Sequence, residues 1–397
     1  MKPSTKIFVN VNPSMLVWAR EESDLTLEAV AKRMGIEIEK LKNWETGSKL
    51  PTYKQLAKLA REVYKRPSAI FFRKTLPAET PFELEFRTIT SKKLHGVSAA
   101  LRFAVRQARH MQVVQKEINT NTPPPFNLRN FQFDKDAPIE QTAKDLRAFL
   151  ALDVEEQFQW KDHSHTFNAL RARLEESGVC VVLLDFPLEE ARGFTLSGKI
   201  PVIAINEHDS AAGRIFTLVH ETCHVLMNVS SIFFDLPRMG GVQKEFVAIE
   251  KQCNAFAAAF LLPEPYFTAE AEKLFKEKDD WPDRKIARLA NKFKTSKETV
   301  LRKLMDMDLA SPTFYGSKRK RWKEEHEEKE KKKKEKLATA EKKGFGMPAH
   351  QRVVREKGKT FTSNVFQLYN KGKITALDAA RYLDTRLDNF DKIIENL

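Results

Sequence analysis

His220-Glu221-Thr222-Cys223-His224 lies in the middle third of the chain, in surroundings that predict an α-helix. Apolar residues recur at helical spacing through residues 210–227. Residues four apart are separated by about one helical turn, so His220 and His224 project from the same face. Each imidazole can give a ring nitrogen to a single zinc ion. Glu221 stands one step round the helix, where its carboxylate can take a proton from water at the metal.

A catalytic zinc site needs a third protein ligand and an open fourth position. The next predicted helix covers residues 245–262, ends at Pro263 and carries Glu250. Cys253 is the rival ligand, because it follows Glu250 on nearly the same helical face. Two histidines and a carboxylate form a hydrolytic set, whereas a thiolate is more typical of a closed structural site, so we predict Glu250. For the motif as a whole, the alternative is a surface helix with two solvated histidines.

Two segments of the sequence resemble the zinc core of the ImmA/IrrE metallo-endopeptidases. They are Ile215-Phe-Thr-Leu-Val-His-Glu-Thr-Cys-His-Val-Leu-Met227 and Ile249-Glu-Lys-Gln-Cys-Asn-Ala-Phe-Ala-Ala-Ala-Phe-Leu-Leu-Pro263. The resemblance implies that Glu221 activates water and that the zinc ligands are His220, His224 and Glu250. Thr222 and Cys223 stand where the family typically has a bulky apolar residue or alanine, and neither change touches a ligand.

Residues 9–67 have the pattern of a compact bundle of short helices. Helices are predicted over residues 27–34, 37–45 and 53–64, with Gly35 ending the first. Two helices joined by a tight glycine-containing turn are typical of a helix-turn-helix. The run Trp44-Glu-Thr-Gly-Ser-Lys-Leu-Pro-Thr52, with Gln55-Leu-Ala-Lys-Leu-Ala60, resembles the XRE (lambda-repressor-like) DNA-binding domain. Residues 66–72 and 85–88 resemble the junction between such domains and ImmA/IrrE peptidases.

The XRE resemblance makes residues 37–44 the recognition helix, whose N-terminal part enters the major groove of DNA. Glu37 and Glu39 stand at that end and would be repelled by phosphates. The candidate DNA contacts are therefore Lys40, Lys42, Asn43 and Lys49. The alternative is a helix-turn-helix kept for dimerisation or for gripping a substrate.

A small β-sheet is predicted ahead of the histidine motif. Residues 179–185 form a continuous apolar run typical of a buried strand, and Cys180 is expected to be buried in it. Residues 192–197 and 199–206 predict a hairpin around Gly198. In zincins a strand beside the metal lets a peptide substrate add to its edge, and the resemblance implies this for one of the two hairpin strands. Which strand lies at the edge stays open, and the substrate-binding residues stay unknown.

The remaining sequence is predicted to be mainly helical. His163 and His165 are expected to be surface or capping residues rather than metal ligands. Residues 283–293 and 295–305 also have helix-turn-helix spacing, which we interpret as scaffold. Residues 318–343 alternate charge without an apolar stripe, which predicts an exposed helix or arm; a non-specific DNA contact is the alternative. Further helices are predicted over residues 98–118, 139–152, 165–177, 267–275, 361–369 and 375–387.

Composition limits the class of protein. The chain has 397 residues, 42% of them hydrophobic, which suits two or three globular domains. No apolar run is long enough for a membrane helix, and no secretory signal is visible, so we expect a cytoplasmic protein with no membrane partner. Three cysteines suit a reducing compartment. The net charge is +14, of which +6 lies in residues 318–343 (13 Lys/Arg and 7 Glu), so the charge alone indicates no specific nucleic-acid site.

These observations predict a mostly α protein with a small β-sheet, of class α+β. We expect a zinc-dependent endopeptidase whose protein substrate, by family resemblance, is a helix-turn-helix repressor of mobile-element or stress genes. DNA binding through the N-terminal domain and a homodimer are expected too. The alternatives are a DNA-binding regulator with a structural or inactive metal site, and hydrolysis of a non-peptide substrate. The predicted domains are an XRE-type domain (residues 9–75), a helical linker region (76–138), a zincin-like domain with a helical buttress (139–310), a basic helix or arm (311–343) and a small helical pair (344–397).

Overall fold

The computed structural model describes residues 7–341 and 347–395, apart from residues 78–96, 122, 126, 135 and 234–243. The predicted junction at residues 85–88 lies outside the described residues. The protein is mostly helical with one four-stranded mixed sheet, which confirms the predicted α+β class. It forms two compact units, Met1–Gln107 and Ala108–Leu397. None of the described helices is both long and apolar enough to cross a membrane.

Short helices around a shared apolar core build the first unit. The Thr26 side chain accepts a hydrogen bond from the Ala29 N–H at the start of the second helix, which ends at Gly35 with a left-handed φ of 67°. Arg20 and Glu45 link the first and third helices through a 2.9 Å ion pair. The helices are α1 (Pro13–Glu21), α2 (Leu27–Met34), α3 (Ile38–Glu45) and α4 (Tyr53–Lys58), followed by a π-helical turn (Leu59–Val63) and a 3-10 turn (Ser68–Phe72). The next helix, α5 (Ala99–Asn121), includes the boundary between the units.

Helices of the second unit surround its sheet and extend beyond it. Before the sheet come α6 (Ile139–Phe149), α7 (Val154–Gln159) and α8 (His163–Glu176), with a 3-10 turn at Leu128–Asn130. After it come α9 (Ala211–Leu226), α10 (Lys244–Leu261), α11 (Glu264–Glu272), α12 (Asp283–Lys292), α13 (Lys297–Asp306) and α14 (Pro312–Glu341). The C-terminal segment contains α15 (Ala349–Lys357), α16 (Lys359–Asn370), α17 (Ala376–Tyr382), a 3-10 turn (Leu387–Asn389) and α18 (Phe390–Ile394).

The sheet contains β1 (Cys180–Leu184), β2 (Gly193–Leu196), β3 (Val202–Asn206) and β4 (Ser231–Phe233), in the order β1-β3-β2-β4. β1 and β3 are parallel, whereas β2 is antiparallel to both β3 and β4. The predicted hairpin of β2 and β3 is therefore confirmed, and Cys180 is buried in β1. The expectation that one hairpin strand lies at a sheet edge is wrong, because each has hydrogen-bonded neighbours on both sides. Within the described residues the edges are β1 and β4.

The helices α9 and α10 lie side by side and share a core with the sheet. α9 packs on β2 and β3 and also against α8 and α10, and α10 packs on α6. Apolar side chains from both helices and from β1 and β3 form one continuous core. This packing fixes the position of α9 and α10 relative to each other over the middle of both helices.

The C-terminal segment is more helical than the sequence indicated. Residues 349–357, where no helix was predicted, form α15, which packs against β1, while α16 packs against α8. Of the expected exposed helix or arm over residues 318–343, residues 318–341 belong to α14, and the last two lie outside the described residues. Asp162 rather than His163 caps α8, and the His163 ring lies 3.2 Å from the Thr295 carbonyl oxygen.

Candidate metal centre

α9 brings its polar residues into the protein interior. The helix is capped at its N-terminus by Ser210, whose side chain accepts a hydrogen bond from the Gly213 N–H at 3.0 Å. Both histidines of the motif are 0% exposed. The alternative interpretation of the motif, a surface helix with two solvated histidines, is therefore wrong. Buried polar groups need partners, and those of α9 lie on α10, β2 and β4.

Three side chains from α9 and α10 bring their metal-binding atoms together. The Nε2 atoms of His220 and His224 lie 3.2 Å apart. Each of them also lies 3.2 Å from one oxygen of Glu250, which is itself 0% exposed. Tetrahedral zinc ligands with bonds of about 2.0–2.1 Å are roughly 3.3 Å from one another, so this donor set fits zinc in both chemistry and spacing.

Cys253 remains near the same point. Its Sγ lies within 4.8 Å of ring nitrogens of His220 and His224. Burial, together with the neighbouring Cys223 thiol, raises the pKa of Cys253 well above its ordinary value. A protonated thiol is a poor metal ligand, so the geometry and the thiol chemistry both favour Glu250 over Cys253.

The two glutamates of the centre have opposite electrostatic surroundings. Burial pushes the pKa of Glu250 upward, but hydrogen bonds and charge interactions with His220 and His224 outweigh burial and hold the pKa at about 2. Burial also raises the pKa of Glu221, and here it dominates, so the pKa reaches about 7 despite His224 and two hydroxyl donors. Glu250 is thus an ionised ligand-type carboxylate, whereas Glu221 has the proton affinity of a general base at neutral pH.

Two hydroxyls hold Glu221, and sequence reasoning missed both. The Oγ1 of Thr195 on β2 donates to Glu221 Oε2 at 2.7 Å, and the Oγ of Ser231 on β4 donates to the same oxygen at 3.1 Å. Glu221 Oε1 is buried and has no hydrogen-bond partner among the described residues. No local signal could have found these hydroxyls, because Thr195 and Ser231 reach Glu221 only through the pairing of β2 with β4.

The four predicted DNA contacts all lie on or just after α3. Lys40, Lys42 and Lys49 are exposed, whereas Asn43 is half-buried. Lys40 Nζ lies 5.8 Å from the centre of the Trp44 ring, and Lys42 Nζ lies 3.8 Å from Glu39 Oε2. The Asn43 carbonyl oxygen accepts a hydrogen bond from the Lys49 N–H. The amide oxygen of Asn43 accepts one from the Ser48 hydroxyl at 2.7 Å.

In comparisons with known proteins, one family model matches part of the second unit. Residues 174–305 match the family model Peptidase_M78, described as the IrrE N-terminal-like domain. The matched stretch starts in α8 and ends in α13, so it includes the whole sheet and every residue of the candidate metal centre. This family supports a metallopeptidase-type enzyme.

Other comparisons are less extensive. No curated protein matches the chain. Among solved structures, a Mycobacterium tuberculosis transcriptional regulator is similar, at 19% identity and a TM-score of 0.30. That alignment covers 49% of this chain and 51% of the regulator chain, so this protein spans about half the length of that structure.

Proposed function

We propose that this protein is a zinc-dependent endopeptidase of the ImmA/IrrE type with an N-terminal helix-turn-helix. The observation that carries the proposal is that the Nε2 atoms of His220 and His224 lie 3.2 Å apart, and each lies 3.2 Å from one carboxylate oxygen of Glu250. The Peptidase_M78 match over residues 174–305 supports the same activity. In this proposal those three residues hold zinc and Glu221 is the catalytic base.

Glu221 carries the proton chemistry of the proposed reaction. Zinc, when bound, supplies a Lewis acid that polarises the peptide carbonyl and makes water more acidic. The Glu221 carboxylate takes a proton from the attacking water and later gives it to the leaving amine. A pKa of about 7 suits both transfers near neutral pH, because neither the acid nor the base form is strongly disfavoured. The buried site also excludes bulk water, which strengthens these interactions.

The proposed substrate is a helix-turn-helix repressor of mobile-element or stress genes, cleaved in the cytoplasm. Residues 9–75 would form the XRE-type domain and residues 139–310 the peptidase domain, joined by the linker region 76–138. The basic helix or arm (311–343) and the C-terminal helices (344–397) would complete the chain. Homodimerisation and DNA binding through α3 belong to the same proposal, since XRE-type domains commonly act on DNA as dimers.

A DNA-binding regulator with a structural or inactive metal site is the second candidate. The observation in its favour is the exposure of Lys40, Lys42 and Lys49 on and after α3. The two candidates differ in what Glu221 does, because a regulator has no use for a general base. They agree that replacing the three lysines by alanine weakens DNA binding and flattens its salt dependence. Hydrolysis of a non-peptide substrate is a third alternative, in which the peptide library of the experiment below would stay intact.

The test is cleavage of a peptide library prepared by digesting a bacterial proteome, with new termini identified by mass spectrometry. Wild-type protein loaded with zinc should cleave a subset of peptides, and Glu221→Gln should slow cleavage by about 10²–10⁴-fold. Zinc content measured by atomic absorption should stay equal in both. Glu272→Gln, an exposed change on α11, is the matched control and should cleave normally. Zinc-loaded wild type that leaves every peptide intact would refute the peptidase proposal.

A further inference from the structure

We infer that Thr195 and Ser231 are positioning residues that fix the Glu221 carboxylate and reserve its Oε1 atom for proton transfer. The inference rests on the proposed function, in which Glu221 is the base. Its evidence is geometric: both hydroxyls donate to the same oxygen, Oε2, at 2.7 and 3.1 Å. All three side chains are 0% exposed, so water does not compete for these bonds.

The register of the sheet makes the double contact possible. Thr195 on β2 and Ser231 on β4 are direct cross-strand partners. Side chains of such a pair lie on the same face of the sheet, about 5 Å apart, and here that face is covered by α9. Two hydroxyls at this spacing can converge on one carboxylate oxygen between them. A shift of β4 by one residue would move Ser231 to the opposite face and remove its bond.

The two oxygens of Glu221 are therefore not equivalent. Oε2 accepts two hydrogen bonds, whereas Oε1 has no partner among the described residues although it is buried. The last torsion of a glutamate side chain is broad, so without such contacts the carboxylate would rotate between orientations. Two donors on one oxygen fix the plane of the carboxylate and present the other oxygen in one direction. Catalysis gains from groups that need no reorientation during the reaction.

Thr195 is better placed than Ser231 to do this. Its hydroxyl also lies 3.2 Å from the Glu221 carbonyl oxygen, so the side chain sits over both the backbone and the carboxylate of the same residue. A hydroxyl has only one proton to donate, and the shorter contact, to Oε2, is the stronger bond. Valine has the shape of threonine without the hydroxyl, which makes Thr195→Val the sharpest substitution.

The experiment uses the full-length, zinc-loaded protein, four variants at the two hydroxyls and one control variant. Thr195→Val and Ser231→Ala each remove one donor, their combination removes both, and Thr195→Ser restores a hydroxyl. Thr217→Val is the matched control, because this buried threonine of α9 makes no hydrogen bond through Oγ1 among the described residues. Kinetics use a peptide found in the library assay, and crystal structures of the zinc-loaded wild type and double variant report the Glu221 conformation.

Each single loss should lower kcat by about tenfold, as for other outer residues that orient a catalytic group. KM should stay within about twofold, since the lost contact acts on the base and not on the bound peptide. Thr195→Ser should recover most of the rate, and Thr217→Val should match the wild type in kcat. Zinc content should be unchanged in all of them. In the double-variant crystal structure Glu221 should occupy a new or a second orientation.

Two results would overturn the inference. One is wild-type kcat in the double variant, and the other is a Glu221 carboxylate that keeps its single orientation after both donors are gone. The crystallographic result does not depend on turnover, so a wild type that cleaves no peptide would refute the proposed peptidase while the positioning role is still decided. If Thr195→Val does not fold, Ser231→Ala carries the test alone: wild-type kcat together with an unchanged Glu221 carboxylate in its crystal structure would overturn the inference.

Discussion

Gly193 and Thr217 bring β2 and α9 into closer contact than any side chain at position 193 would allow. A Cβ atom at Gly193 would stand 2.6 Å from Thr217 Cγ2 and 3.0 Å from the Ala204 carbonyl oxygen. The close approach places Thr195, two residues further along β2, within reach of Glu221 on α9. Glycine is thus required at position 193 for packing, and it sets the distance between α9 and the sheet.

We expect Gly193→Ala to lower the free energy of unfolding by about 1–3 kcal/mol, because the added methyl forces the helix and strand apart. Urea unfolding followed by circular dichroism measures this. Combining it with Thr217→Ser, which removes the opposing methyl, should recover part of the loss. Gly316→Ala is the control: it lies in α14 with nothing within 4 Å of the added atom, so it should stabilise the helix by up to about 1 kcal/mol. Equal stability of Gly193→Ala and wild type would contradict the packing argument.

The identity of the third ligand gives a second prediction. Glu250→Gln should weaken zinc binding by more than about a hundredfold, beyond the usual cost of losing an outer partner of a ligand. Cys253→Ala should change the affinity by less than about tenfold, since its thiol is held protonated by burial. Competition with a chromophoric chelator measures both. The reverse order of effects would make Cys253 the ligand.

A buried ion pair between Arg171 and Glu175 gives a third prediction. The two groups are 2.8 Å apart with side chains only 4% and 6% exposed. We expect Arg171→Met to lower the free energy of unfolding by about 3–5 kcal/mol, because it leaves a carboxyl group buried without its cation. Urea unfolding is again the measurement.

Changes around this pair separate charge from packing. Replacing both residues by methionine should be much less harmful than Arg171→Met alone, because no buried charge is then left over. Arg173→Met, two residues further along α8 and on its more exposed face, should have little effect. A double variant as unstable as the single one would mean that the contacts of Arg171 with backbone carbonyls, not its charge pairing, dominate.

The contacts between Asp283, at the start of α12, and α14 predict that the packing of these two helices depends on pH. Partial burial pushes the pKa of Asp283 upward, but donors on α14, namely Lys318, Trp322 and Arg321, outweigh it and hold the pKa far below its usual range. A carboxyl whose pKa is depressed by folding stabilises the folded state above its unfolded pKa of about 3.9, and the contribution fades as the pH falls below that value. Asp283→Asn should therefore be less stable than wild type at pH 7.

The difference in melting temperature between Asp283→Asn and wild type should shrink steadily below about pH 4. Asp308→Asn is a suitable control, because Asp308 is 87% exposed although it too pairs with a lysine. A difference that is constant from pH 7 to pH 3 would show that Asp283 acts through its shape or its position at the start of α12 rather than through its charge.

The sequence could predict what depends on local spacing. The apolar residues around His220 and His224 recur at helical spacing and predicted a helix. Because the two histidines are one turn apart, that helix places them on one face. Glu250 came from an equally regular second helix. Neither prediction required knowledge of the sheet, which is why the three donors could be chosen before the fold was known.

What depends on contacts distant in sequence could not be predicted. β4 is only three residues long, so it gave no strand pattern, and its absence made β2 look like a candidate edge. Thr195 and Ser231 meet Glu221 only after β4 pairs with β2. No helix was predicted over residues 349–357, because glycines flank them and few apolar side chains mark a helical face. α15 nevertheless forms, because Val353 and Lys357 are buried in tertiary contacts.

The contact of Arg171 with the C-terminal segment affects how the part of the chain that matches the family model can be produced alone. Arg171 donates to the Val181 carbonyl oxygen on edge strand β1 and to the carbonyl oxygens of Arg355 and Glu356 on α15. A recombinant fragment that ends at Glu341 would lack α15. The Arg171 guanidinium would then lose two hydrogen-bond acceptors, and edge strand β1 would be exposed. An exposed edge strand can pair with other chains and promote aggregation. The shorter fragment should therefore accumulate in inclusion bodies, whereas a fragment that extends through Glu395 should be recovered in the soluble fraction.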